Sequence, residues 1–305
     1  MDSFLNLASE ILPLYAISIL GFIAGKGLKI DAKSITTLTI YMLSPVVFFL
    51  SLAQVNFTSS ALIAPAVTFM VAAILAPLIL RVTKCYLGEK TPYLSALATG
   101  TNNWGYFGLP IAFSLFNPEQ VAAYIVIGFG FQMFENTLGI YYASRGHKSP
   151  LESFFAVFKF PAIYAITGGL AFSYLGLDIP SAGEKLFDLF KGAYTVLGMM
   201  IIGLGVASLD KFRIDIGFSL TMCIMRFVMW PALATGIIFI DSHLGLLGSE
   251  FYKPLMLFSM MPMAANNIAF ATQFNMHPGK ASVAVLITTI LALVYIPFAL
   301  QFFGI

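Results

Sequence analysis

Thr101-Asn102-Asn103-Trp104-Gly105-Tyr106-Phe107-Gly108-Leu109-Pro110 lies in the middle of an apolar run, and Met261-Pro262-Met263-Ala264-Ala265-Asn266-Asn267 lies in another. Burying an unpaired amide costs on the order of 2–7 kcal/mol, so an Asn pair is a poor choice for a segment that faces lipid. Pro110 and Pro262 each delete a helix N–H and clash with the preceding turn, while Gly100, Gly105 and Gly108 ease an irregular backbone. Breaks of this kind at membrane depth are tolerated only inside protein or beside a water-filled cavity. Both segments are therefore expected to unwind midway and to face each other. Pro110 then suits the first turn of a new half-helix, and the N–H groups freed at each half-helix start form a partly positive end suited to an anion. The alternative is a pair of proline kinks whose amides join neighbouring helices. Two matched motifs in corresponding places favour the site.

Composition sets the surroundings. Of 305 residues, 59% are hydrophobic and 10% are charged, against roughly 25% charge in a soluble domain. Such a chain cannot build a water-facing surface, and it can build a lipid-facing one. A span takes about 20 apolar residues. Ten are expected, at 7–25, 34–53, 60–81, 93–115, 119–142, 155–177, 187–208, 216–240, 254–275 and 280–303. Met1-Asp2-Ser3 carries no Lys or Arg before the first apolar run, so that run is expected to stay as a helix.

The odd-numbered loops hold twelve Lys and Arg residues (26, 29, 33, 81, 84, 90, 145, 148, 159, 211, 213 and 280) and the even-numbered loops hold Lys185, Lys191 and Lys253. Positive charge stays cytoplasmic. Both termini are thus expected outside and the 143–154 loop inside. Five spans, an odd number, invert the second half relative to the first. The expected fold is all-α and polytopic, with residues 1–153 and 154–305 as two inverted five-helix repeats and broken fourth and ninth helices that cross. The Asn pair and proline recur in the same span of each half, at Asn102-Asn103 with Pro110 and at Asn266-Asn267 with Pro262.

Other polar residues fall inside spans. Gln132, Glu135 and Asn136 share one helix face. An intramembrane acid is expensive and often functional, so Glu135 reads either as a coupling site for H+ or Na+ or as a structural partner of Arg226. Arg226, near mid-depth of the eighth span, has three readings: contact with an anionic substrate, pairing with Glu135, or snorkelling to the cytoplasmic face. Pro45 reads as a kink. Gly21 and Gly25 permit close helix packing. Met199, Met200, Met260, Met261 and Met263 read as packing. Cys85 and Cys223 make no disulfide framework, His147, His243 and His277 are scattered, and no metal or cofactor site is expected. Asn56-Phe57-Thr58 is a glycosylation sequon in an expected outside loop, without meaning in a bacterial source.

Gly21-Phe22-Ile23-Ala24-Gly25-Lys26, Leu43-Ser44-Pro45-Val46-Val47-Phe48, Asn103 through Pro110, and Met261-Pro262 through Ala271 together resemble the auxin efflux carrier family, over essentially the whole chain. The long central cytoplasmic loop of plant members is missing, and no auxin-specific site carries over. The resemblance implies a two-domain carrier related in fold to bile acid/sodium symporters. Spans 1, 2, 6 and 7 would form a scaffold and homodimer contact. Spans 3–5 and 8–10 would form a mobile, elevator-type transport domain. The crossover asparagines map onto Asn103 and Asn266, and the substrates would be small organic anions such as auxin or dicarboxylates.

The candidate substrate residues are thus Asn103 and Asn266, then Asn102, Asn267, Gly105, Pro110 and Pro262, with Glu135, Gln132 and Arg226 as coupling or ion-pair residues. An intramembrane enzyme is disfavoured: there is no HExxH, no GxSxG and no Asp inside an expected span beyond Asp188 at the very start of 187–208. No P-loop supports primary pumping, and nothing points to nucleic acid. A membrane sensor or channel for organic acids remains the rival, although a channel should show a repeated polar lining rather than two isolated breaks. The expected localisation is the cytoplasmic (inner) membrane. With Cys85 and Cys223 removed, a cysteine introduced near residue 148 is expected to resist an impermeant thiol reagent in intact cells. Labelling there from outside overturns the inverted topology.

Overall fold

The computed structural model describes residues 2–53, 59–146, 148–208 and 213–303. Among these, every regular element is a helix, and the one β-type pairing is an isolated antiparallel bridge between Asn102 and Met263. The Asn56-Phe57-Thr58 sequon, His147 and Lys211 lie outside the described residues. Six helical stretches are long and apolar enough to cross a membrane: Ala32–Leu50, Leu62–Thr83, Glu119–Arg145, Ser181–Ala207, Ile216–Leu244 and Pro278–Phe303. Tyr15–Gly27, the end of the helix Asp2–Gly27, is a shorter apolar stretch.

The other three expected spans are interrupted. The run expected at 155–177 is two helices, Pro150–Val157 and Pro161–Tyr174. The cause is local: Pro161 forces the residue before it out of the helical region, and Phe160 sits at φ −91°, ψ 123°. The two Asn-bearing runs divide into Thr91–Thr99 and Leu109–Leu115, and into Tyr252–Ser259 and Asn266–Gln273. Two boundaries also move outward. Ser181–Ala207 starts directly after Pro180, earlier than expected, and the helix ending at Leu244 runs on to the left-handed Gly245 at φ 64°. Asp241 consequently falls within a helix, near its end, and Asp188 lies about two turns into Ser181–Ala207. The Asp241 carboxylate accepts the Leu246 and Leu247 N–H groups, each at 3.0 Å, and so closes that turn.

Helices pack closely where small residues allow it. Asp2–Gly27 lies along Ser181–Ala207. A Cβ at Gly21 would strike the Met200 carbonyl, one at Gly25 the Ala207 side chain, and one at Gly203 the Ser18 carbonyl. Pro161–Tyr174 lies along Ser44–Leu52 in the same way: a Cβ at Gly169 would sit 2.6 Å from the Phe49 oxygen. Ser59–Thr83 packs on Pro118–Phe134, where the Thr68 hydroxyl donates to the Ile127 carbonyl at 3.1 Å. Met199, Met260, Met261 and Met263 are fully buried packing residues.

Pro45 does more than bend a helix. The segment before it makes a π turn at Thr39–Leu43, with the Ser44 N–H on the Thr39 carbonyl. Pro45 has no N–H to follow, and the Ser44 hydroxyl donates instead to the Ile40 carbonyl at 2.7 Å. Further π turns occur at Glu135–Gly139 and Met225–Met229.

On the side of the odd-numbered loops, one ion pair ties three helix starts together. Asp215 accepts the Phe218 N–H at 3.0 Å and pairs with Lys280 at 2.7 Å, and Lys280 also donates to the Thr91 hydroxyl at 3.0 Å. Burial works to raise the Asp215 carboxyl pKa, but the Lys280 hydrogen bond, the Phe218 amide and the Lys280 charge outweigh it and hold it below the ordinary carboxylate range. A depressed folded pKa contributes stability above the unfolded value of about 3.9, lost as the pH falls through the folded value. Asp215→Ala is therefore expected to lower stability by about 0.5–2 kcal/mol at neutral pH. Measured as a thermal midpoint in micelles, the deficit should shrink as wild type is titrated below about pH 4.

Candidate functional site

The two interrupted segments cross at their breaks. The Asn103 N–H donates to the Pro262 carbonyl at 2.9 Å, beside the Asn102–Met263 bridge, so a scrap of antiparallel pairing replaces the missing helical bonds. The Met263 N–H reaches the Thr288 hydroxyl at 3.3 Å. The Asn103 carbonyl takes the N–H groups of Phe107 and Gly108, at 3.2 and 2.9 Å, and so starts the π turn Trp104–Gly108. Pro110 follows in the first turn of Leu109–Leu115. The Tyr124 hydroxyl donates to the Trp104 carbonyl at 3.3 Å. A Cβ at Gly108 would collide with Tyr124 and Met261, whereas Gly105 faces open space.

Part of the backbone at this crossing is thus satisfied. At the second half-helix, Asn267 and Ile268 give their N–H groups to the Ala264 and Ala265 carbonyls, at 3.1 and 2.9 Å. Side chains add further polar groups at the crossing.

The four asparagines divide by role. The Asn102 amide donates to the Phe258 carbonyl at 2.7 Å and caps the end of Tyr252–Ser259. The Asn267 side-chain oxygen lies 2.9 Å from the donating Thr101 hydroxyl. Each thereby braces one broken segment against the other. Asn266 donates to Glu135 at 2.7 Å and to the Tyr194 hydroxyl at 3.4 Å, and accepts from the Tyr106 hydroxyl at 3.3 Å. Asn103 is different. Its side chain is 2% exposed, and neither its amide nitrogen nor its oxygen has a partner among the described residues.

Asn103 borders a cavity of about 620 Å³. Asn102, Gly105, Gln132, Glu135 and Asn266 border it too, while Asn267, Pro262 and Arg226 do not. Trp104, Phe129 and Phe187 supply aromatic wall, and Tyr106 and Tyr194 lie with their rings 4.6 Å apart. Glu119, Lys191 and Glu250 stand at the mouth, next to even-numbered loops. Lys191 is a cavity residue that a division of the chain into loops and spans passes over. The signal is present in the chain: Phe187, Lys191, Tyr194 and Thr195 recur at helical spacing and form one stripe down the helix Ser181–Ala207.

Arg226 is fully buried and makes no ion pair with Glu135; the described residues hold one ion pair, Lys280 with Asp215. Its guanidinium donates to the Ala98 carbonyl and, at 2.8 Å, to the Thr99 carbonyl, which also accepts from the Trp230 indole at 2.9 Å. It sits 5.8 Å from the Phe131 ring centre. A cation on the last carbonyls of Thr91–Thr99 satisfies orphan acceptors and complements the helix dipole. Arg226 therefore braces the break from behind the cavity. Among the described residues no group of three or more His, Cys, Asp or Glu can hold a metal.

Residues 147–300 match a family described as membrane transport protein. The chain is 26% identical over 277 residues to an uncharacterized transporter of Methanocaldococcus jannaschii, covering 87% of each. It is 24% identical over 294 residues to an uncharacterized transporter of Methanothermobacter thermautotrophicus, covering 93% of this chain and 91% of that one.

Arg226→Met removes the donor from the Ala98 carbonyl and is expected to cost about 1–3 kcal/mol, the desolvation cost of a buried acceptor left unmade. Glu135→Gln should give no rescue, since the two side chains do not pair. Thermal unfolding of both single variants and the double variant checks this, and recovery in the double variant would contradict the capping role.

Proposed function

Because the chain belongs to the membrane transport protein family, the auxin efflux carriers that its sequence resembles, we propose that it is a secondary carrier moving small organic anions across the cytoplasmic membrane by alternating access. Membership sets the broader class: this is a membrane transporter and not an enzyme. The finer reading rests on one observation. An amide that is 2% exposed, unpartnered at both ends among the described residues, borders a large cavity at the crossing of two broken helices. A buried polar group without a partner is costly, and a ligand carboxylate accepting from Asn103 relieves that cost. Asn266 borders the cavity from the other segment, its amide engaged by Glu135 and Tyr194.

The rest of the cavity suits such a cargo. Its wall is mostly apolar, with aromatic faces for a carbon skeleton, and Lys191 supplies a cation. Glu119 and Glu250 at the rim are exposed, where water and salt screen them. With the Lys/Arg asymmetry the mouth faces outward, both termini with it. In the elevator reading, ten spans form two inverted repeats, and the interrupted runs at 155–177, 91–115 and 252–273 count as spans. The scaffold is then the two close-packed pairs, 2–27 with 181–207 and 32–52 with 161–174, which also supply the homodimer contact. The helices around the crossing move against it. The contacts of Tyr106 and of Asn266 with Tyr194 lie at that boundary.

The test is a thermal-shift screen of small carboxylates on purified protein, followed by uptake of the best ligand into proteoliposomes. Saturable uptake is expected, as is a rise in stability with ligand by mass action. Asn103→Ala should weaken ligand affinity by about ten-fold or more, because a hydrogen bond to a charged group is worth about 1.5–3 kcal/mol. Its unliganded stability should be unchanged, since the side chain bonds nothing among the described residues. Ligand shifts without uptake favour a sensor. Wild-type affinity in Asn103→Ala removes the crossing from the site.

A further inference from the structure

Behind the Asn266–Glu135 hydrogen bond, on the side away from the large cavity, lies a second void of about 10 Å³. That is near the smallest space that admits one water-sized occupant. Thr39, Ser44, Glu135, Asn136, Tyr194 and Asn266 supply its polar lining, and Ile40, Phe48 and Phe270 supply the rest. Phe48, Glu135, Tyr194 and Asn266 border both spaces, and they form the partition between them.

The lining has one chemical character. The Thr39 hydroxyl directs its hydrogen to the Ile35 carbonyl at 2.9 Å, and the Ser44 hydroxyl to the Ile40 carbonyl at 2.7 Å. Asn136 turns its nitrogen to the Gln132 carbonyl at 2.8 Å, which leaves its oxygen as the remaining polar end. Asn266 directs its nitrogen to Glu135 and Tyr194. What Thr39, Ser44 and Asn136 still offer this void is lone pairs on oxygen, and Glu135 adds one carboxylate. Two of the contributing stretches are the π turns Thr39–Leu43 and Glu135–Gly139, and π turns recur at functional sites. Among the described residues, neither Arg226 nor any other basic side chain pairs with Glu135.

We propose that this void is a site for one dehydrated monovalent cation, sodium by its size, held by Glu135 with the oxygens of Thr39, Ser44, Asn136 and Tyr194. Hard cations select oxygen donors, and an intramembrane carboxylate demands a counter-charge. One carboxylate balances one positive charge, and a divalent ion would carry a second into an apolar surround. A water molecule would find acceptors for its hydrogens but would leave the carboxylate charge unbalanced. The use of this site in transport rests on the carrier reading; its occupancy does not, so the two are tested apart. Because Asn266 bonds Glu135 on one side and borders the substrate cavity on the other, the cation and the organic anion share one amide. Filling either site fixes that amide for the other.

The experiment uses the full-length protein in detergent without organic substrate. Its thermal midpoint is followed in NaCl, KCl and choline chloride at constant ionic strength and fixed pH. Sodium is expected to raise the midpoint in a saturable way, with potassium and choline flat. The shift should vanish in Glu135→Gln, need at least ten-fold more sodium in Thr39→Val, and persist in Asn103→Ala. Binding of radioactive sodium to the wild type, displaced by unlabelled sodium and not by potassium, provides a reading that needs no variant. Equal midpoints in the three salts with no displaceable sodium overturn the proposal. So does a sodium shift that survives Glu135→Gln, or a midpoint that responds to pH alone, which assigns the carboxyl to a proton. A wild-type protein that shows the sodium shift but no saturable carboxylate uptake counts against the carrier reading and leaves the cation site standing.

Discussion

The hydrogen bond from the Asn103 N–H to the Pro262 carbonyl, 2.9 Å long, is the contact on which the middle of this protein depends. Inside a bilayer no water satisfies an open helix end, and each orphaned backbone group costs several kcal/mol. Two helices broken at the same depth can persist only if each supplies what the other has lost. The surrounding residues follow from that constraint. Pro262 contributes a carbonyl and has no N–H to satisfy. Asn102 caps Phe258, Arg226 and Trp230 cap Ala98 and Thr99, and Tyr124 covers Trp104. A fully buried arginine is unfavourable in most settings. Here it is an acceptable cost because it faces carbonyl oxygens that the break leaves open.

The crossing itself is legible in the chain, since two carboxamides and a proline inside each of two apolar runs cannot be accommodated against lipid. The separation of roles among the four asparagines is not. Asn102 both braces Phe258 and borders the cavity, Asn267 braces Thr101 away from it, and in a broken segment no helical period says which asparagine does which. Family resemblance marks Asn103 and Asn266 as the cavity pair, and the geometry supplies the reason: Asn102 and Asn267 hold Phe258 and Thr101.

Other features are hidden because they depend on tertiary neighbours. Arg226 invites a partner of opposite charge, and the nearest unmet need is instead a helix end that the arginine's own sequence neighbourhood does not reveal. Lys191 reads as loop charge when it is counted with the edge of a span started at residue 187. A start at Ser181 sets it ten residues, nearly three turns, inside the helix, on the stripe that borders the cavity. The interruption at Phe158–Phe160 has its whole sequence signal in Pro161. Hydropathy over a window averages across such a break and reads one span.

Glu135 occupies the place where these strands of structure meet. Its helix carries it roughly 24 Å in from Glu119 at the cavity mouth, at 1.5 Å per residue, and the π turn that starts there offsets its side chain from the regular stripe. Three other elements touch the same polar cluster: Asn266 from the second broken segment, Tyr194 from Ser181–Ala207, and Thr39 with Ser44 from the helix bearing Pro45. In the proposed elevator two of these elements are scaffold and two move, so the cluster cannot survive the motion unchanged. Glu135 and Asn266 travel together on the moving side, whereas Tyr194, Thr39 and Ser44 stay with the scaffold, so a carboxylate parted from those oxygens at membrane depth must keep a counter-charge or stop the movement. That requirement, rather than any contact with the cargo, is what allows a buried acid to tie the passage of one solute to the presence of another, and by linkage the coupling acts equally in both directions.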